Sequence, residues 1–372
     1  MLGIPNMGKK IVPNACDFSS ANILVIRPDV LGDILLTIPF LVVLKRQCPG
    51  ARITLAVTRP WVKFIERLQI VDEVIEFPLN SDQWRAISNV FRAIAFGSKI
   101  LKKVKFDIVL CPRWDADLYD AHLVALFSHA PQRIAFFENA TPWKTASNRG
   151  RDAFYTHVVT DQGTRHESAR SLYFLEAIGL PALPLEDKIS SISIRDKVPL
   201  VEIKIDPSWN GCPLVGIFPG VQDADRQWPV ENFIAAAKNI ATNHPVRFLV
   251  LGTKKEAVQC ERFCHEFPGL ALNLSDKTDL MGLAGTVRQC SVVISCNSGG
   301  AHLAGVLEVP VAAIFQHPHG GDPENPSSPE RFRPLGKNVR VLQPGMDNST
   351  PVTADQVTEA ALDLMGLKSS HE

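Results

Sequence analysis

The chain has 372 residues, of which 45% are apolar, and its 39 acidic and 39 basic side chains give a formal net charge of zero. This length suits two domains with sizeable cores, and the balanced charge does not indicate a nucleic-acid partner. No apolar run has the length of a membrane-spanning helix, and no apolar segment typical of secretory signals follows Lys9 and Lys10. These features predict a cytoplasmic protein.

In the first half of the chain, apolar segments rich in β-branched residues alternate with helical segments. The predicted strands read NILVIR, RITLAV, EVIEF, FDIVLC, RIAFF and THVV. The predicted helices are Ile34–Arg46, Trp61–Leu68 and Ala116–Ser128. Continuous apolar strands separated by helices are typical of a parallel sheet that is covered on both faces.

The alternation returns in the second half, after a proline-rich stretch without clear periodicity. The predicted strands read PLVGIFPG, VRFLVLG, LALNL, SVVIS and PVAAIF. The predicted helices are Val230–Thr242, Lys254–Glu266, Asp279–Gln289, Gly300–Leu307 and Ala354–Met365. We therefore predict an α/β protein with two Rossmann-like domains facing a central cleft. Its predicted parts are an N-terminal extension (1–20), a first domain (21–185), a linker (186–212), a second domain (213–348), and a C-terminal helix and tail (349–372).

Polar residues that follow predicted strands are candidate site residues, because open parallel sheets bind ligands beyond the carboxyl ends of their strands. The segment RPDVLGD after the first strand supplies Arg27, Asp29 and Asp33. Asp33 has a second interpretation, as an acidic residue that stabilises the first turn of the following helix. The two interpretations differ in whether this carboxylate does chemistry.

Two loops of the second half have the character of an anion site. Asn297, Ser298, Gly299 and Gly300 lie between a predicted strand and a predicted helix, where free backbone N–H groups attract anions and glycines allow a phosphate to come close. Arg226 follows another strand and would add a positive charge. Taken singly, the glycines also fit a plain tight turn, and Arg226 also fits a solvated surface charge. Together the loops predict a diphosphate site, and the missing dinucleotide and P-loop spacings disfavour an oxidoreductase.

A series of short motifs in a particular order resembles glycosyltransferase family nine, the heptosyltransferase family of lipopolysaccharide assembly. The resemblance extends from about Asn22 to Met365. The matching residues are Arg27, Gly32, Asp33, Pro39, Leu44, Lys45, His166, Glu167, Arg170, Gly179, Arg226, Trp228, Pro229, Phe233, Gly252, Glu256, Lys277, Thr278, Ser298, Gly299, His302, Ala304, Asp322, Pro323, Pro334 and Gly336.

The resemblance implies a GT-B fold and an inverting transferase that uses ADP-heptose and needs neither cofactor nor metal. It implies that Asp33 is the base that takes a proton from the acceptor hydroxyl. The implied nucleotide-sugar site comprises Arg226, Gly252, Glu256, Lys277, Thr278, Asn297, Ser298, Gly299, Gly300 and His302. The expected acceptor site comprises Arg27, Asp29, Arg113, Trp114, Asp115 and Asp117. The implied acceptor is a saccharide or a lipid-linked saccharide.

Two positions depart from the family pattern. Asn297 stands where the family usually has an aspartate, so the position keeps hydrogen-bonding capacity but loses the charge. Arg226 stands where lysine is common, and arginine offers a phosphate two parallel donors instead of a point charge. A transferase of the same fold with a different nucleotide-sugar donor, and a non-catalytic sugar-nucleotide-binding protein, therefore remain alternatives.

Three groups of residues have spacings that suggest a metal. Asp115 and Asp117 have a spacing used for Mn²⁺, but they also suit the start of the following predicted helix. His317 and His319 form a pair without further ligands nearby in the sequence, as do Cys260 and Cys264. We therefore predict no metal site.

A basic segment from Gln83 to Phe106 contains six lysines or arginines, interleaved apolar residues and no acidic residue. Such a helix can lie on an anionic membrane. A helix that packs on a core through its apolar face and exposes a basic face to water would have the same pattern. The first interpretation predicts a peripheral location on the inner face of the cytoplasmic membrane.

Overall fold

A computed structural model describes residues 18–78, 86–161, 163, 165–180, 193–221, 223–348 and 350–367. These residues form two units, of which the first ends at Leu180 and the second contains residues 165–166 and everything from 193 onward. Most of the predicted N-terminal extension and the first part of the predicted linker lie outside the described residues. Each unit contains a parallel six-stranded sheet, so the predicted pair of Rossmann-like domains is confirmed.

The first unit has the strand order β3-β2-β1-β4-β5-β6. Its strands are β1 (Asn22–Ile26), β2 (Arg52–Val57), β3 (Glu73–Glu76), β4 (Ile108–Cys111), β5 (Gln132–Phe136) and β6 (His157–Val159). Its helices are α1 (Leu31–Gln47), α2 (Arg59–Leu68), α3 (Ala86–Lys103), α4 (Ala121–Phe127), α5 (Pro142–Ser147) and α6 (Glu167–Ala177). The central strands are buried on both faces, which explains their continuous apolar sequences.

The second unit has the order β12-β11-β10-β7-β8-β9, which is the same arrangement when counted from its own first strand. Its strands are β7 (Leu214–Phe218), β8 (Arg247–Val250), β9 (Ala271–Asn273), β10 (Val292–Cys296), β11 (Val311–Ile314) and β12 (Val339–Leu342). Its helices are α7 (Val230–Asn243), α8 (Ala257–His265), α9 (Leu280–Val287), α10 (Gly299–Val306), α11 (Pro329–Phe332) and α12 (Ala354–Leu364).

The chain reverses its direction of travel across each sheet at one place. In the first unit this occurs between β1 and β4, and in the second between β7 and β10. At such a switch point the connections leave the sheet on opposite sides, so the loops after these two strands border a crevice. The loops that contain the predicted site residues follow these four strands and their neighbours.

The predicted helix start at Ala116 is wrong, because α4 begins at Ala121. The Asp117 carboxylate accepts the backbone N–H of Tyr119 and thereby stabilises a turn that competes with helix. Asp120, the residue just before α4, has a left-handed backbone with φ of 54°. The predicted helix Lys254–Glu266 is divided into a 3₁₀ turn, Lys254–Glu256, followed by α8.

Helices α5, α6 and α11 and strand β12 were not predicted from the sequence. Helix α6 buries four polar residues, Glu167, Ser168, Arg170 and Ser171, so its apolar periodicity is interrupted. Strand β12 lies at the edge of its sheet and includes the exposed Arg340. An edge strand with a mixed sequence gives a weaker signal than a central one.

The described part of the predicted linker packs on α9 of the second unit. The Arg288 side chain donates to the backbone oxygen of Val198 at 2.6 Å, and Gln289 donates to that of Val201 at 2.9 Å. A Cβ atom on Gly285 would lie 2.6 Å from the Pro199 oxygen, so this glycine allows the close approach. Within the described residues, no helix has both the length and the apolar character needed to cross a bilayer.

Candidate active site

A buried ion pair joins the loops after β1 and β4 at the switch point of the first unit. Nε of Arg27 lies 3.0 Å from Oδ2 of Asp29, and the side chains are 3% and 1% exposed. Nη1 of Arg113 pairs with Oδ1 of the same carboxylate. Burial and the charge of Arg27 both lower the pKa of Arg113. Asp29 therefore offsets two guanidinium charges that would otherwise repel each other in a desolvated place.

Asp33 is the accessible carboxylate of this group. Its Oδ1 lies 3.8 Å from Nη2 of Arg27, and its side chain is 18% exposed, against 1% for Asp29. The residue before α1 is Val30, whose side chain makes no capping hydrogen bond. Asp33 lies in the first helical turn, where its charge interacts favourably with the helix dipole. Arg27 thus holds a buried carboxylate on one side and an accessible carboxylate on the other.

The loop after β4 contains three further predicted site residues, Trp114, Asp115 and Asp117. Trp114, which was predicted to line the site, is 3% exposed, and the guanidinium of Arg170 is stacked 3.4 Å from its ring centre. Asp115 is buried and accepts from Ala116 N at 2.8 Å and from the hydroxyl of Thr141 at 3.2 Å.

Asp117, the third of these residues, has a lowered pKa. Burial alone would raise the pKa of Asp117, but its hydrogen bond with His122 and the nearby charges of His122 and Arg151 lower it to about 2. It also accepts from the backbone N–H of His122, in the first turn of α4, at 3.5 Å. A carboxylate with so low a pKa is a weak proton acceptor at neutral pH.

Two further residues that the sequence analysis missed shape this site. Nζ of Lys144 donates to the backbone oxygens of Trp114, Phe136 and Arg113 at 2.8, 3.1 and 3.3 Å. It thereby ties the loop after β4 to the end of β5, and burial lowers the pKa of Lys144 to about 8. Nε1 of Trp61 donates to the backbone oxygen of Asp29 at 2.9 Å.

A cavity of about 30 Å³, lined in part by Arg113, Asp117 and Lys144, is large enough for water but not for a sugar.

Four loops of the second unit that contain predicted site residues begin at the same edge of its sheet, because all its strands are parallel. Arg226 follows β7, Glu256 follows β8, and Lys277 with Thr278 follows β9. The segment Asn297–Gly300 follows β10, next to β7 at the switch point. The predicted nucleotide-sugar residues are therefore brought to one edge of one sheet.

The start of α10 is built around Ser298. Its hydroxyl accepts the backbone N–H of Gly300 at 3.3 Å and lies 3.0 Å from the Ser295 hydroxyl. A Cβ atom on Gly300 would lie 2.7 Å from the ring of Phe218. Close packing therefore accounts for Gly300 without the phosphate approach predicted from the sequence. Gly252 likewise packs against Glu256, because a Cβ atom on Gly252 would lie 3.3 Å from the Cβ of Glu256.

Three nitrogen atoms around the start of α10 make no hydrogen bond to the described residues. They are Nδ2 of Asn297, Nδ1 of His302 and Nε of Arg226. Asn297 and His302 are 5% and 4% exposed, whereas the Arg226 side chain is 30% exposed. Nη2 of Arg226 donates to the backbone oxygen of Pro326 at 3.3 Å. Nε of Arg226 lies 3.5 Å from Oδ2 of Asp223, an ion-pair partner. Buried polar atoms are normally hydrogen-bonded, so the Asn297 and His302 nitrogens suit a ligand that hydrogen-bonds to them.

His302 is neutral at physiological pH. Burial, reinforced by the nearby charges of His166 and Arg226, lowers its pKa from 6.5 to about 3. The His302 ring and the Asn297 amide are uncharged, whereas Arg226 is close enough for its charge to lower the pKa of His302. The sequence is compatible with a core role and with a ligand-binding role for His302, and so is its burial.

Glu256 and Lys277, which were predicted to bind the nucleotide sugar, make hydrogen bonds within their own loops. The Glu256 carboxylate accepts from the backbone N–H of Thr253 at 2.6 Å and from its hydroxyl, which completes a capping box. Nζ of Lys277 donates to the backbone oxygen of Asn273 at 2.8 Å. Thr278 is exposed. These contacts fix the loops and leave the outward surface to a ligand.

No group of three or more histidine, cysteine, aspartate or glutamate side chains is placed to hold a metal ion in the described parts of the chain. Burial raises the pKa of Cys260 to about 12 and that of Cys264 to about 11. Both thiols are therefore protonated at neutral pH, and metals bind the thiolate form. His317 is buried, and its Nε2 has no hydrogen-bond partner among the described residues.

Two Rossmann-like domains, each with polar loops at its switch point, define the GT-B architecture of nucleotide-sugar enzymes. The family model described as glycosyltransferase family 9 (heptosyltransferase) matches residues 98–360. The chain belongs to this family, as its motifs predicted.

Comparisons with individual proteins agree with this assignment. The chain is 26% identical over 227 residues to the lipopolysaccharide core heptosyltransferase OpsX of Haemophilus influenzae. That match covers 59% of each protein, so the chain spans about three fifths of the length of this curated relative. Its fold is similar to a glycosyl transferase family 9 structure from Veillonella parvula, with a TM-score of 0.69, 20% identity, and coverage of 95% of this chain and 99% of the other. It is also similar to E. coli heptosyltransferase WaaC with ADP, with a TM-score of 0.68, 17% identity, and coverage of 92% and 99%.

The low pKa of His302 predicts how stability depends on pH. The unfolded chain takes up a proton near the ordinary value of 6.5, whereas the folded chain takes it up near 3. Unfolding is therefore favoured progressively as the pH falls through this interval, by about 2–3 kcal/mol at pH of about 4.5. His302→Gln should lack this contribution and lose less stability than the native protein between neutral pH and that value.

Urea unfolding at the two pH values measures the effect. His265→Gln, at an exposed histidine of α8, is the matched control and should follow the native protein. A His302→Gln profile parallel to the native one would contradict the assignment of a buried neutral histidine.

Proposed function

We propose that the protein is an inverting, metal-independent glycosyltransferase. It would transfer a heptose, or a related sugar, from an ADP-sugar to a saccharide or lipid-linked saccharide acceptor. The observation that carries the proposal is the accessible Asp33 carboxylate, held near Arg27 at the switch point of the first unit, in a chain of family 9. The partly exposed Arg226 guanidinium, and two buried nitrogens without a hydrogen-bond partner among the described residues, Nδ2 of Asn297 and Nδ1 of His302, support a diphosphate site in the second unit.

In the proposed reaction an acceptor hydroxyl attacks the anomeric carbon of the donor sugar. Asp33 takes the hydroxyl proton while the new C–O bond forms, and the bond from the anomeric carbon to the diphosphate oxygen breaks. The leaving nucleoside diphosphate carries away the electron pair. Attack from the face opposite the leaving group inverts the anomeric configuration.

The choice of Asp33 over the other carboxylates rests on exposure and basicity. Asp29 is buried and ion-paired with two arginines. Asp115 is buried and hydrogen-bonded, and the pKa of Asp117 is about 2. A general base must reach the proton that it abstracts and must be basic enough to hold it, and Asp33 fits the first condition best.

The leaving diphosphate is proposed to bind Arg226 and the backbone N–H groups at the start of α10. Charge-assisted hydrogen bonds stabilise charge that develops as the bond breaks. Lys277 and Thr278 would contact the nucleotide from the loop after β9, and Glu256 would accept from ribose hydroxyls. Asn297 and His302 would donate to sugar or phosphate oxygens. ADP is the nucleotide named with the similar WaaC structure.

One alternative donor assignment has a specific motivation. Asn297 is buried and neutral, whereas the family usually has a charged aspartate at this place. Asparagine offers both a donor and an acceptor to a sugar hydroxyl, so a different sugar on the same nucleotide suits the site. The proposed cellular location is the cytoplasm, at the inner face of the cytoplasmic membrane.

Replacement of Asp33 by asparagine tests the proposed base. Asparagine is nearly isosteric but cannot accept the proton, so turnover should fall by about 10²–10⁴-fold. ADP affinity should hardly change, because the nucleotide is assigned to the second unit. Transfer is measured with ADP-heptose and a saccharide acceptor, and ADP binding by calorimetry. Near-normal turnover would reduce Asp33 to a residue that stabilises the start of α1.

Replacement of Arg226 by alanine tests the diphosphate site. The loss of charge-assisted hydrogen bonds should weaken ADP binding by about 10- to 100-fold. The matched control is Arg262→Ala, which removes an exposed arginine paired with Glu231 in the same unit. Calorimetric titration should give the control a native dissociation constant. Equal affinity in both variants would remove Arg226 from the site.

Metal independence is tested by chelation. Turnover in excess EDTA should match turnover in the same buffer without it, since the charge of the leaving group is assigned to Arg226 and backbone N–H groups. A different result would assign a metal to the loop after β4: EDTA abolishes turnover and Mn²⁺ restores it in the native protein, but Mn²⁺ restores it in neither Asp115→Asn nor Asp117→Asn.

A further inference from the structure

Helix α3 packs on α4 through one narrow face. Asn89 Nδ2 donates to Oδ2 of Asp120 at 3.3 Å, and Ala93 is fully buried. A Cβ atom on Gly97 would lie 2.5 Å from the backbone oxygen of Phe127, so the two helices approach each other closely there. These three residues are spaced by four and therefore lie on one side of the helix.

Away from this packed face, α3 exposes large apolar residues. Phe91 is 68% exposed, Ile94 38% and Val90 37%. At about 100° per residue, Phe91 points about 160° away from Ala93. The apolar residues between positions 89 and 99 therefore divide into a buried set and an exposed set. Packing on α4 explains the first set and does not explain the second.

Basic residues flank the exposed apolar side. The helical angles place Arg92 and Lys99 on one flank of Phe91, with Ile94 and Val90 on the other, and both basic residues are exposed. Lys105 is exposed just after the helix. The sequence from Gln83 to Phe106 has six basic residues and no acidic one. An exposed face that combines a large aromatic side chain with basic residues differs from the solvated basic face of an ordinary core helix.

We propose that Phe91, Ile94 and Val90, with Arg92 and Lys99, form a surface that docks on an anionic lipid bilayer. The apolar side chains would enter the boundary between headgroups and acyl chains, and the guanidinium and ammonium groups would reach the lipid phosphates. Charge complementarity selects this occupant, since the unbroken positive charge of the segment attracts an anionic surface and repels a second copy of itself. This proposal identifies the surface that would hold the protein at the membrane, and it depends on the membrane location proposed above.

Vesicle binding tests the surface without donor, acceptor or turnover. The full chain is mixed with vesicles of one part phosphatidylglycerol to three parts phosphatidylcholine, or of phosphatidylcholine alone, and bound protein is separated by sedimentation. The native protein should bind the anionic vesicles, and binding should fall as salt screens the charges. Phe91→Asp should reduce the partition coefficient more than tenfold. Arg92→Gln with Lys99→Gln should reduce it about fivefold for each charge removed.

Val258→Asp is the matched control, because Val258 is 74% exposed on α8 of the second unit. It should bind like the native protein, and all variants should retain the native melting temperature, since the changed side chains are exposed. Absence of vesicle binding by the native protein, or equal binding by Phe91→Asp and Val258→Asp, would overturn the proposal. A native dimer that Phe91→Asp converts to a monomer, without vesicle binding, would assign the surface to a second copy instead. None of these failures would alter transfer activity with a soluble acceptor, so the proposed function is tested separately.

Discussion

The ion pair between Asp29 and its two arginines is the constraint on which the candidate site of the first unit depends. Arg27 comes from the end of β1 and Arg113 from the end of β4, so one buried carboxylate joins the two loops that border the switch point. Loss of that carboxylate would leave two guanidinium groups buried side by side, a costly arrangement at low dielectric. Arg27 is held in turn where it lies 3.8 Å from Asp33. The position of the accessible acid thus depends on a buried one.

Further contacts hold the backbone around the ion pair of Asp29 with Arg27 and Arg113. Lys144 holds the backbone at Arg113 and Trp114, and Trp61 holds the backbone at Asp29. The stacked Arg170 covers Trp114 and pairs with Asp161 at 3.1 Å. These contacts use side chains from α2, α5 and α6 to fix two loops that have no regular hydrogen-bonding pattern of their own. Preorganisation of this kind is what general-base catalysis requires of its surroundings.

The parts of the fold that follow from local pattern were predictable, and those that depend on distant contacts were not. The central strands are buried on both faces, so their apolar sequences identified them, and Asp33, Arg226 and Asn297 were found because they follow such strands. The surroundings of Trp114 could not be predicted, because Arg170, which stacks on it, lies far along the chain in a helix whose buried polar residues concealed that helix. Lys144 gave no signal, because its three acceptors are backbone oxygens that only the folded chain brings together. Gly300 lies at the start of α10, and its close packing on the ring of Phe218 gives this glycine a structural reason that the sequence did not reveal.

The two units repeat one sheet order, and each encloses a hydrophobic core of its own. Each also presents its own loops at its own switch point, so the proposed mechanism places recognition of the two substrates in separable halves. If Asn297 contacts the donor sugar as proposed, a change there would alter which sugar is accepted without disturbing Asp29 or Lys144, and the reverse would also hold. Such modularity makes chimeras a natural route to new specificities: a second unit taken from a relative would bring its donor preference as a block, together with the core that supports it.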